Sequence, residues 1–311
     1  MTRLALAGTN HFIESCSNLV SRLGAMLPSA IVCPDTAMAA KCGIELHTPN
    51  LDQLLANHAD AFDAVLMDAT CDIQALQAGL DAGKHILYCG HLSAEQSELA
   101  AVESQVEQSS QCLMLGTADR FRPSLQTVRH SITSGQIGEP GLLRIHRWES
   151  PNQASQSLDV ATHHEIDVAC WLFGTQPELV FAAATPNAVG DRPCYQQLHL
   201  GFPGDGMALI DINLNLPTGD DYFSLSMIGS KGAAYADDHH NMQLRYAGGA
   251  PTAERTSEAN FAKLAQLQEF LTAIGEQRPP VTNVSNWNRV QAIVDAVEQS
   301  QSSGQAVTLD S

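Results

Sequence analysis

The chain predicts an α/β fold, with an N-terminal doubly wound parallel sheet followed by an α+β domain carrying a largely antiparallel open sheet. Three observations lead there. Short apolar runs alternate with helical patterns as far as Gly116, the rhythm of parallel strands joined by right-handed crossovers. After Pro123 the rhythm changes to longer strands with period-two alternation, separated by Gly/Pro/Asp turns. The length, 311 residues, suits two domains better than one. The expected division is 1–122 and 123–311.

In order, residues 3–8 form an apolar run ending in glycine, followed by a helical pattern over 11–23. A second strand at 29–33 ends at Pro34-Asp35, a helix follows over 36–42, and a short strand lies near 44–47. Asn50 is placed to cap a helix over 51–57. Residues 64–67 read as a buried strand, 72–82 as a helix closed by Gly83, and 85–89 as the next strand. A helix over 94–107 and a strand over 112–116 complete the first domain. Beyond Pro123 come a helix to Ser134, a strand over 142–149, strands at 179–185, 196–202, 207–215 and 222–228, and helices at 259–274 and 286–301. Leu209, Asp211 and Asn213 alternate with Ile210, Ile212 and Leu214, so one face of this second sheet is expected to be buried.

Composition narrows the function classes. Lys and Arg number 16 against 34 Asp and Glu, a formal charge of −18. That surface repels phosphate backbones and no Lys/Arg-rich run reverses it, which argues against nucleic acid and anionic membranes as partners. The eight cysteines form no CxxC pair, and several sit in apolar runs as buried thiols do. Residues 1–8 lack the apolar core of a signal peptide. No stretch approaches the roughly 18 apolar residues of a membrane span. A cytoplasmic protein is the expectation.

The most informative stretch is 158–174, Leu-Asp-Val-Ala-Thr-His-His-Glu-Ile-Asp-Val-Ala-Cys-Trp-Leu-Phe-Gly. It reads as a helix with one buried face (Ile166, Ala169, Cys170, Phe173) and a glycine stop. Asp167 follows His164 by three residues and His163 by four, so either pair can meet on one surface. A histidine held by a carboxylate moves protons near neutral pH; the plainer alternative is a histidine that bonds a nearby carbonyl. Ligands of a doubly wound sheet bind beyond the carboxyl ends of its strands. That singles out Gly8, Thr9, Asn10 and His11, then Asp35, then 68–72, 89–92 and 117–122. Asp35 suits ribose hydroxyls or an ordinary turn. His239 and His240 follow Asp237-Asp238, but no spacing resembles a zinc site, and no metal is expected.

Ala82-Gly83-Lys84-His85-Ile86-Leu87, Arg120-Phe121-Arg122-Pro123 and Ser134-Gly135-Gln136-Ile137-Gly138-Glu139-Pro140 stand in that order. His164-Glu165-Ile166-Asp167 with Trp171 and Gly174, and Ile228-Gly229-Ser230-Lys231-Gly232, complete the series. In these motifs the chain resembles the Gfo/Idh/MocA family (glucose–fructose oxidoreductase, inositol dehydrogenase and relatives) over nearly its whole length. The resemblance implies a Rossmann domain at 1–122 that binds NAD or NADP. It also implies a domain at 123–311 that holds a small sugar- or polyol-like substrate and forms a homo-oligomer through its sheet. The final helix is a candidate to pack back on the N-terminal domain.

By the same resemblance His164 shuttles the proton and Asp167 orients it. His91, or a water, stands for the family's lysine, because Gly90-His91-Leu92 replaces Glu-Lys-Pro. Asp159 matches the family's first acid only when counted from His163. The implied cofactor contacts are Gly8, Thr9, Asn10, Asp35, Asp68, Thr70 and Arg120, with Asp35 favouring NAD. The departures are sharp here. Gly8-Thr9-Asn10-His11-Phe12-Ile13 keeps only the first glycine of GxGxxG, with Asn10 available as a side-chain donor to phosphate, and Asp68-Ala69-Thr70-Cys71-Asp72 brings two acids to a phosphate site. Two readings follow: an NAD(P)-dependent oxidoreductase acting on CH–OH groups, and a catalytically silent relative serving as a binding or scaffold subunit.

Overall fold

The computed structural model describes residues 1–116, 118–150, 157–185, 194–237, 242–245, 252–255 and 259–309. Stretches of the early strands, such as Leu4–Ala7 and Ala64–Met67, are apolar and buried, as suits a sheet covered on both faces. In chain order the elements are β1 (Thr2–Ala7), α1 (Asn10–Val20), β2 (Met26–Val32), α2 (Thr36–Cys42), β3 (His47–Thr48) and α3 (Leu51–His58). They continue with β4 (Ala64–Asp68), α4 (Ile73–Asp81), β5 (His85–Cys89), α5 (Gln96–Glu107) and β6 (Leu113–Leu115). All pairings are parallel, in the order β3-β2-β1-β4-β5-β6. The doubly wound sheet is therefore observed as expected. The helices start where the sequence supplies caps: Asp35, Asn50 and Asp72 accept from the backbone N–H of Ala37, Gln53 and Ala75.

The remaining elements are α6 (Pro123–Thr133), β7 (Pro140–Trp148), α7 (Leu158–Phe173), β8 (Leu179–Thr185), β9 (Tyr195–Phe202) and β10 (Gly206–Asn213). After these come β11 (Tyr222–Gly229), β12 (Ala233–Asp237), β13 (Met242–Arg245), β14 (Thr252–Arg255), α8 (Ala259–Glu276), α9 (Val284–Ser303) and β15 (Val307–Thr308). Contacts divide the chain into two compact units, each drawing on two stretches: Met1–Phe121 with Ala259–Asn288, and Arg122–Glu258 with Arg289–Ser311. Residues 259–288, placed with the second domain by the sequence, complete the first unit. Ala262, Leu267 and Phe270 of α8 pack with Leu4, Leu6 and Ile13. Val284 and Trp287 pack with Ala5 and Leu115 in a separate cluster of the same unit.

In the second unit the strand order is β12-β11-β7-β10-β9-β8-β15. Only β10 and β7 run parallel; the other pairs are antiparallel. Leu143, Ile145, Leu198, Ile210, Ile212 and Leu225 are buried in one cluster with residues of α7 and α9, as the alternation predicts. The short strands β12 to β15 were not expected from the sequence. Helix α7 also departs from expectation: it is buried around most of its circumference, not along one face. No helix among the described residues is long and apolar enough to cross a membrane. Among them no His/Cys/Asp/Glu group is placed to hold a metal ion. His239 and His240 lie outside the described residues.

Candidate active site

Strand order reverses between β1 and β4, and a doubly wound sheet opens its ligand crevice at such a point. Gly8 leaves β1 at φ +154°, and a Cβ there would lie 2.4 Å from Cγ of Asp68. Glycine is required because a carboxylate occupies the space. Asp68, at the end of β4, is 8% exposed and accepts four hydrogen bonds. Thr9 N and Oγ1 donate to one oxygen at 2.8 and 2.9 Å; Thr70 N and Oγ1 donate to the other at 2.9 and 2.5 Å. Burial pushes its pKa up, but these hydrogen bonds outweigh burial and hold the carboxyl below the usual carboxylate range.

Thr9 caps α1, its hydroxyl accepting from Phe12 N at 3.2 Å. Asn10 and His11 are exposed at the first turn, where backbone N–H groups have no intrahelical acceptor. The Asn10 side chain turns toward β2 and α2, not toward that opening. Its amide donates to Asp35 Oδ2 at 3.4 Å, and its oxygen accepts from the Cys33 thiol at 3.1 Å. Asp35 is exposed, and its other oxygen caps α2 through Ala37 N at 2.9 Å. Ile13, at the position of the third glycine, is fully buried in the core beside Leu4 and Leu6.

The other first-unit candidates are held by residues 259–288. The His91 ring lies 5.4 Å from the Trp287 ring at 52°. Arg120 is buried and donates to the Val281 carbonyl at 3.2 Å. Glu269 fastens that turn: it accepts from Arg278 Nη1 and Nη2 at 2.7 and 2.8 Å and from Val281 N at 3.1 Å. The hydrogen bonds from Arg278 hold the Glu269 carboxyl below its usual pKa against an opposing effect of burial.

In the second unit, α7 is capped by Ser157 and ends on Gly174 at φ +75°, whose N–H bonds the Cys170 carbonyl. His163 and His164 are 1% and 6% exposed, with ring centroids 6.4 Å apart at 86°. Asp167 is half-buried one turn on, and Asp159 is exposed in the first turn, where a carboxylate suits the helix dipole. Two features behind the histidines escaped the sequence. Glu165 is fully buried and accepts from Arg147 Nε at 2.5 Å, while Arg147 also donates to Glu149 and stacks on Phe223. Thr162 is hydrogen-bonded to Gln196. A buried acid inside an apolar helix, with an arginine on an adjacent strand, was the only signal available for the first pair.

A family model described as the oxidoreductase family, C-terminal alpha/beta domain, matches residues 129–309, more than half of the chain. Inositol 2-dehydrogenase 2 of Saccharopolyspora erythraea is 30% identical over 251 residues, spanning 76% of this chain and 73% of its own. D-xylose 1-dehydrogenase (NADP(+)) 2 of Haloferax volcanii is 23% identical over 300 residues, spanning 91% and 92%. Among solved structures, scyllo-inositol dehydrogenase from Lactobacillus casei with bound NAD(H) and scyllo-inositol matches with a TM-score of 0.83. That match has 17% identity and covers 99% of both chains.

Proposed function

Since the chain belongs to the Gfo/Idh/MocA oxidoreductase family, we propose that it is an NAD(P)-dependent dehydrogenase that interconverts a hydroxyl and a carbonyl on a small sugar or polyol. The observation that carries this reading is the buried His164 with Asp167 one turn on, in a chain whose relatives are named as dehydrogenases of inositol and xylose. A dinucleotide fits the residues present. The crevice lies where strand order reverses, the Asn10 and His11 N–H groups open at the start of α1, and the Asp35 carboxylate stands exposed after β2.

Bound nicotinamide supplies the hydride chemistry. His164 takes the proton of the substrate hydroxyl in oxidation and returns it in reduction, since a histidine titrates near neutral pH. Asp167 orients the imidazole. His91, or a water, serves where relatives use lysine, and Asp35 favours NAD because a carboxylate repels a ribose 2′-phosphate. Titration with NAD, NADH, NADP and NADPH, followed by nicotinamide fluorescence, tests the reading, and silence at millimolar cofactor defeats it. His164→Ala is expected to lower kcat by about 10²-fold or more with cofactor affinity nearly unchanged; unaltered turnover removes His164 from the mechanism.

We also assign self-association to the sheet of the second unit, whose strands leave Leu179, Phe181, Met207, Ile228 and Tyr235 exposed. Light scattering at micromolar concentration is expected to give a homo-oligomer, and a monomer there would refute the assignment.

A further inference from the structure

The crevice at the reversal of strand order already contains an anion, and it belongs to the chain. We infer that Asp68 sets the affinity of this site: its carboxylate sits on the Thr9 amide that would otherwise grip a diphosphate, so a dinucleotide binds against it. The inference rests on the dinucleotide reading above and adds what limits that binding.

Three observations support it. First, the carboxylate lies directly against the turn, close enough that a Cβ on Gly8 would collide with all three of its terminal atoms. Second, it consumes the donors of the turn: both the N–H and the hydroxyl of Thr9 are committed to it at 2.8 and 2.9 Å. Third, it is fixed. Thr70 holds the opposite oxygen through two further hydrogen bonds, and the side chain is buried, so rotating away would forfeit four hydrogen bonds.

A diphosphate arriving at the Asn10 and His11 N–H groups therefore meets a like charge on the neighbouring turn. A simple turn fastener needs no charge: a neutral side-chain oxygen, such as that of asparagine, would still accept from one of the two threonines. The hydrogen bonds that hold Asp68 below the usual carboxylate range also keep it ionised around neutral pH, so mild acidification does not relieve the repulsion.

The test compares the wild-type protein with Asp68→Asn, which keeps the shape, and Asp68→Ser, which shortens the side chain. NADH is titrated by fluorescence, and adenosine, which carries no phosphate, by ligand-observed NMR. Circular dichroism checks that each variant is folded. Both variants are expected to bind NADH about tenfold more tightly, equivalent to roughly 1.4 kcal/mol, while adenosine affinity changes by less than about twofold. If the wild type binds NADH and neither folded variant binds it more tightly, Asp68 does not compete and the inference fails alone. If adenosine gains as much as NADH, a loosened crevice is the cause, and the inference also fails. If no form binds NADH at millimolar concentration, the dinucleotide reading falls and this one falls with it.

Discussion

At the turns after β1 and β2 the candidate groups Thr9, Asn10 and Asp35 are exposed, and hydrogen bonds among themselves, Asp68 and the first turns of α1 and α2 fix them. At the head of α7 the candidates His163 and His164 are buried, within a helix enclosed on most sides and backed by a buried ion pair. A ligand at the first place must exchange or outbid existing hydrogen bonds, so affinity there answers to single polar substitutions. At the second place geometry comes from close packing, and a substitution reaches the fold before it reaches the chemistry.

The larger effect is expected on the packed side. Glu165→Ala leaves Arg147 without its closest carboxylate in a mostly buried setting, and breaking such a pair costs about 3 kcal/mol. Urea unfolding followed by tryptophan fluorescence measures it. A loss below about 1 kcal/mol would show that Glu149 and Phe223 suffice for Arg147, and would blur the contrast. The smaller effect belongs to the turn. Asp35→Ser preserves the α2 cap, because serine is nearly as good there, but removes the charge after β2. The preference for NAD over NADP should fall about tenfold, near 1.4 kcal/mol, with little change in melting temperature. An unchanged preference together with a marked loss of stability would make Asp35 a cap and nothing more.

What the sequence made legible was local. Asn50 caps where its side chain allows, Gly174 closes α7 in the left-handed region, and Ile210 and Ile212 alternate into the core. These signals lie within a few residues of what they specify. The rest depends on partners far along the chain. Nothing near Asp68 announces that its acceptor positions will meet Thr9, 59 residues earlier. Arg120 reads as a charge for a phosphate until the Val281 carbonyl, 161 residues later, is seen to accept from it. Helix α7 looks amphipathic because residues such as Thr162 and Glu165 count as polar; their burial goes with Gln196 and Arg147 on two separate strands. The family motifs identified relatives, whereas the state of each site residue required the fold.

The return of residues 259–288 to the first unit has a consequence for biosynthesis. A ribosome delivers the first six strands early, yet the segment carrying Phe270 and Trp287 emerges only after the second unit's main strands. Until then the nascent sheet lacks part of its apolar cover on two sides, the kind of surface that chaperones bind and that aggregates when crowded. Completion of the first unit therefore waits on residues 259–288, far along the chain from the strands they cover.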